Sequence, residues 1–101
     1  MRVLVMFDLP METSDDRSEY THFRKGLIKD GYIMMQKSIY CKLVMSPLAA
    51  ELAKQRVDHM KPKKGVIQLM VITEKQYAQI DYLLGGPDTE QLSDTQRLVI
   101  F

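Results

Sequence analysis

Two stretches of this chain, residues 3–7 (Val-Leu-Val-Met-Phe) and residues 66–72 (Val-Ile-Gln-Leu-Met-Val-Ile), are apolar at odd and even positions alike. Successive side chains of a strand point to opposite faces of its sheet, so strands of this kind are expected to need cover on both sides. Leu9-Pro10 ends the first of them, because proline cannot donate to a ladder. Asp8 is thereby left at the carboxyl end of the strand, where it either carries chemistry or caps the turn before Pro10.

The segments between these strands read as helices and shorter strands. Thr13 and Ser14 followed by Asp15 and Asp16 give a hydroxyl cap with acids in the first turn, so a helix opens near Asp15. Tyr20, Phe23 and Leu27 form its buried stripe, and Lys29-Asp30-Gly31 closes it with a basic turn and a glycine suited to the left-handed cap. Residues 32–45 are extended, with Ile39, Cys41, Leu43 and Met45 on one face and Ser38, Tyr40, Lys42 and Val44 on the other. They make two short strands broken near Gln36-Lys37-Ser38, or one bent strand, since no Gly or Asn marks a tight turn. Ser46-Pro47 starts a second helix, which Lys61-Pro62 stops near Met60 ahead of the basic turn Lys63-Lys64-Gly65. Beyond residue 72, a short helix over residues 74–79, an extended piece over 80–84 and a polar loop from Gly85 are expected. The terminal Leu98, Val99, Ile100 and Phe101 read as a strand that must pair with its own sheet or a partner's.

Net charge is +1 overall but unevenly spread. Residues 17–64 hold eleven lysines and arginines against four acids, a net of +7, while each flank carries −3. The middle of the chain can therefore present a phosphate-binding face, or simply solvated helix surfaces. A single cysteine, Cys41, excludes an intrachain disulfide, and its alternation with Ile39 and Leu43 reads as core. No stretch approaches the ~20 apolar residues of a membrane helix, so no membrane partner and a cytoplasmic location are expected. His22 and His59 have no companion at metal-ligand spacing and read as surface residues.

The order strand, helix, strand, strand, helix, strand corresponds to an α+β, ferredoxin-like βαββαβ domain spanning residues 1–101, with an extra C-terminal strand. Two helices cover one face of such a sheet and leave the other bare. Leu4, Met6 and one parity of residues 66–72 would then be uncovered, which argues for a face-to-face homodimer.

Phe7-Asp8 at the end of the first strand, Arg17 early in the first helix, the stretch Gln36-Lys37-Ser38-Ile39-Tyr40 and the apolar terminal strand occur in a telling order. In these features the whole chain resembles the smaller of the two universal CRISPR spacer-acquisition proteins, the family of CRISPR-associated endoribonucleases. Its polar loop before the terminal strand is similar to the form accompanying type II CRISPR systems. The resemblance implies a homodimer in which each C-terminal strand extends the other subunit's sheet. It also implies that Asp8 of both subunits binds Mg2+ or another divalent cation for phosphodiester hydrolysis.

Two functions follow. In one, the dimer is a metal-dependent endonuclease acting on RNA or DNA in spacer acquisition, with Asp8 as catalytic residue and metal ligand. In the other, it is a non-catalytic scaffold that bridges dimers of the CRISPR integrase and binds duplex DNA. Arg17 and Arg24, seven residues apart on one helix face, and Lys37 are the candidate nucleic-acid contacts, with solvated side chains as the alternative for the arginines. Ser38 and Tyr40 are candidate supporting residues, Tyr40 either near the site or packed within the sheet.

Overall fold

The computed structural model describes residues 1–86. The expected terminal strand, and all of the polar loop beyond Gly86, lie outside the described residues. The elements follow the expected order: β1 (Arg2–Asp8), α1 (Ser14–Lys29), β2 (Ile33–Gln36), β3 (Ile39–Leu43), α2 (Pro47–Met60), β4 (Val66–Ile72) and α3 (Glu74–Ala78). The strands form one sheet in the order β2-β3-β1-β4, and every neighbouring pair is antiparallel. This is the α+β arrangement expected from the sequence.

Local signals act where they stand. Thr13 Oγ1 accepts from Asp16 N–H at 3.0 Å while the Asp16 carboxylate accepts from Thr13 N–H at 3.2 Å, a complete capping box. At the other end Gly31 N–H donates to Ile28 O and Tyr32 N–H donates to Leu27 O, the paired bonds of a Schellman motif. Gly31 makes this possible with φ of +98°. Ser46 caps α2 through a 3.1 Å bond from Ala49 N–H, and Pro47 occupies its first turn.

The β1 register sorts the sheet into two faces. Val3, Val5 and Phe7 face the helices with Tyr40, Leu69 and Ile67 opposite them. With Phe23 and Leu27 of α1 and Ala50, Ala53 and Val57 of α2 they form the core. Phe7 sits at its centre, its ring 5.1 Å from Phe23, 5.7 Å from Tyr40 and 5.8 Å from Tyr20.

Three expectations need correction. The first concerns the second face, which is not wholly bare. Arg2, which points to it, donates from Nε to Glu74 Oε2 at 3.0 Å, lies 4.1 Å from the Tyr77 ring centre and reaches Cys41 Sγ at 3.8 Å. These contacts fix α3 over one corner, where Leu4 and Cys41 are buried in register with each other. Burial pushes the Cys41 thiol up, in keeping with a core residue. The second concerns β4, which among the described residues is an edge strand with none of its seven residues buried, although its sequence is apolar on both faces. The third concerns residues 80–84, which are not extended throughout: the chain bends at Leu83 and Leu84, and both are almost fully exposed.

Tyr32 is 3% exposed, and its hydroxyl has no hydrogen-bond partner among the described residues. Burial, assisted by the Asp30 carboxylate, pushes the phenol up to about 12 from 10.0. The folded state therefore holds the proton more tightly than the unfolded one. Stability from this group is intact below pH ~10 and is lost as pH rises toward ~12. A Tyr32→Phe protein is expected to match or exceed the wild type by up to about 1 kcal/mol at neutral pH, because an unpaired buried hydroxyl is removed. It should also lose less stability between pH ~10 and ~12, as denaturant melts at each pH will show.

Candidate functional site

Asp8 ends β1 directly opposite Val66 of β4, on the sheet face that α1 and α2 do not cover. It is exposed, and its carboxylate forms no ion pair among the described residues. Around it lies a depression of ≈280 Å³ lined by Met6, Asp8, Ile39, Val66 and Gln68 together with Lys37 and Ser38. Two of the sequence-predicted residues thus join Asp8, because the β2–β3 turn falls at the same end of the sheet as the end of β1.

That turn has an unusual conformation. Ser38 takes φ of +65°, a left-handed value that a non-glycine residue adopts at some cost. Its carbonyl accepts from Phe7 N–H at 3.0 Å, and its hydroxyl lies 3.4 Å from the Tyr20 hydroxyl. Pairing to β1 on one side and contact with α1 on the other hold the turn beside Asp8.

The other predicted residues lie elsewhere. Tyr40 is 1% exposed, stacks on Phe7 and faces the helices, so it is packed within the fold and does not line the depression. Arg17, in the first turn of α1, donates from Nη1 to Met11 O at 3.2 Å and Glu12 O at 3.1 Å. It braces the loop that follows Asp8. Arg24 is half-buried two helical turns further along, about 10 Å down the axis.

Reasoning from sequence overlooked the α2–β4 loop as part of this end of the molecule. Gly65 has φ of +100°, and a Cβ placed on it would stand 2.7 Å from both Asp8 O and Leu9 Cδ2. The loop is therefore pressed against the Asp8 backbone, which brings the Lys63-Lys64 pair to the same end. The Lys64 ammonium adds to the hydrogen bonds from Thr13 that hold the Asp16 carboxyl below its ordinary value. Stability from Asp16 is consequently present above the ordinary carboxylate range and is lost as pH falls through its lowered value. The signal was the run Lys63-Lys64-Gly65 itself, whose position follows only once β4 is known to run antiparallel to β1.

On the same face, Ile33, Leu43, Val66 and Met70 are between 49% and 63% exposed. Such a patch on a small domain marks an interaction surface. Among the described residues no helix is long and apolar enough to cross a membrane, and no group of three or more His, Cys, Asp or Glu side chains can hold a metal ion.

Comparison with known proteins agrees with this arrangement. The model of the family described as CRISPR associated protein Cas2 matches residues 1–80. A CRISPR-associated endoribonuclease Cas2 from Ligilactobacillus salivarius is 42% identical over 100 residues, covering 99% of each chain. Its counterpart from Treponema denticola is 43% identical over 100 residues with the same coverage. The crystal structure of Streptococcus pyogenes Cas2 at pH 6.5 superposes with a TM-score of 0.63 at 25% identity, over 82% of this chain and 99% of that one. With the family model matching residues 1–80 and two relatives more than 40% identical over nearly the whole chain, the chain belongs to the Cas2 family of CRISPR-associated proteins.

Proposed function

We propose that two copies of the chain pair through the uncovered sheet face to form a metal-dependent endonuclease that cleaves RNA or DNA phosphodiester bonds. The dimer takes part in CRISPR spacer acquisition together with the CRISPR integrase. One observation carries this reading: Asp8 lies on the same sheet face as the exposed Ile33, Leu43, Val66 and Met70. A two-fold contact between identical faces brings the same residue to the interface from both sides. Asp8 is then present twice near the axis. The name endoribonuclease carried by its relatives supports the nuclease activity.

The residues present fit a hard divalent cation. A depression lined by a single carboxylate makes a poor site for zinc, but Mg2+ is commonly held by one or two carboxylates, water and substrate phosphate. Asp8 of both subunits would hold the ion, which when bound activates water and neutralises charge on the phosphate. The chain's own groups do the positioning. Lys37 places a positive charge in the lining of the depression, and the Ser38 hydroxyl is within reach of a phosphate oxygen seated there. Arg17, Arg24 and the lysines of the α2–β4 loop guide the nucleic-acid backbone toward it. Leu98, Val99, Ile100 and Phe101 would pair with the partner's β4, an edge among the described residues, and complete the dimer.

Metal removal tests the reading. Cleavage of labelled single-stranded RNA and of duplex DNA is expected to fall to background after chelation and to return with Mg2+. Cleavage that survives chelation overturns the metal assignment, and a monomer in sedimentation at the assay concentration overturns the dimer.

A further inference from the structure

The chain contains two histidines, His22 and His59, far apart in sequence and carried by different helices. Both line one notch of ≈440 Å³ where the start of α1 meets the end of α2. The helices approach closely there: a Cβ on Gly26, one turn after His22, would come within 2.8 Å of Met60 Sδ, the neighbour of His59. Lys61 and Lys63 of the α2–β4 loop complete the notch, and Glu19 contributes the one acid among its lining residues.

Its charge balance depends on the histidines. The Lys61 ammonium is paired with Asp58 Oδ1 at 2.6 Å, and Glu19 offsets Lys63. Beyond His59, along the same helix, Glu51 and Lys54 offset each other, and the β4 residues packed there, Ile67 and Leu69, are uncharged. With both imidazoles neutral the notch has no net charge; with both protonated it carries +2. Two imidazolium groups facing one cavity repel each other unless an anion lies between them, and a phosphate offers oxygens to both. Glu19 shares the notch with them, but no group of three or more His, Cys, Asp or Glu side chains among the described residues can hold a metal ion, so an anion fits the notch better than a metal.

We infer that this notch is a second phosphodiester-binding site, separate from the Asp8 depression, which captures a backbone phosphate of nucleic acid when His22 and His59 are protonated. The inference rests on the reading that the chain binds nucleic acid. The α2–β4 loop links the two places, since Gly65 packs on the Asp8 backbone while Lys61 and Lys63 line the notch. A strand of nucleic acid anchored in the notch is thereby held against the loop that borders the candidate catalytic end.

The test is equilibrium binding of a fluorescently labelled DNA duplex at about pH 5.5 and about pH 8, on either side of ~6.5, where histidines ordinarily titrate while carboxylates and lysines keep their charge. Wild type is expected to bind roughly tenfold tighter at the lower pH. Its log affinity should fall more steeply with log salt by about 0.9, the increment for one added phosphate contact. Both histidines are exposed, so substitution leaves the core intact. The double variant His22→Gln, His59→Gln should bind equally at the two pH values. The double variant His22→Lys, His59→Lys should bind at about pH 8 as wild type does at about pH 5.5. A pH response that survives in the glutamine variant, or duplex binding by wild type with no pH response, overturns the inference and leaves the nucleic-acid reading standing. Failure of wild type to bind duplex at either pH overturns both.

Discussion

An Asp8→Asn protein is expected to fold and dimerise like the wild type and to lose metal-dependent cleavage by at least about a hundredfold. Even a residue that merely orients a metal ligand is worth 10–100-fold on removal, and Asp8 is proposed as the ligand itself. The substitution keeps the shape of the side chain and removes its charge. Asp8 is exposed and has no ion-pair partner among the described residues, so no buried group is stranded and stability should change by less than about 0.5 kcal/mol. Without metal the dimer should even gain slightly, because two carboxylates facing across an axis repel each other. A second readout is independent of cleavage. A ligand that binds only the folded state raises its melting temperature, so Mg2+ should stabilise wild type and leave Asp8→Asn unmoved. If the variant cleaves as fast as wild type, Asp8 is not the catalytic carboxylate, and the scaffold that bridges integrase dimers becomes the better account.

The parts of this fold that could be read from the sequence are those decided within a few residues. Thr13 through Asp16 specify a capping box, Asp30-Gly31 a Schellman motif and Ser46-Pro47 a helix start, and each is found where those residues stand. Asp8 was likewise legible, since Pro10 ends the strand two residues later whatever the rest of the chain does. The β2–β3 turn was harder, because Lys37-Ser38 lacks the glycine or asparagine that usually signals one. Ser38 is held at positive φ by a bond from Phe7 N–H and by contact with Tyr20, both remote in sequence.

Apolar patterning shows that a surface needs cover but not what supplies it. Residues 66–72 have the same doubly apolar pattern as β1, yet β1 lies between two strands under two helices while β4 is an edge with no buried residue. Among the described residues the apolar pattern of β4 is left without cover, and the proposed dimer is what would supply it. The corner formed by α3 was hidden for a different reason. Arg2 and Glu74 are unremarkable charges at opposite ends of the described chain, and their bond exists because β1 and β4 pair with Arg2 opposite Ile72, two residues before Glu74.

The same pairing governs the largest stability effect expected from a single added atom. A Gly65→Ala protein should be less stable by about 2–4 kcal/mol, of which roughly 1–3 kcal/mol is the cost of a non-glycine residue at φ of +100°. The remainder is steric. The new Cβ would stand 2.7 Å from Asp8 O, and a backbone oxygen in a sheet cannot rotate aside as a side chain can. Relief requires the α2–β4 loop to lift away or the end of β1 to shift, and either movement displaces Asp8 from Lys37 and Ser38. For a domain of this size the melting temperature should fall by at least ~8 °C. Gly86→Ala provides the control, since its Cβ would meet nothing within 4 Å among the described residues and should be nearly silent. The decisive comparison is cleavage at a temperature where Gly65→Ala is still folded. Activity reduced together with stability means that the glycine positions the catalytic end, whereas full activity in a destabilised protein means that the loop serves the fold alone.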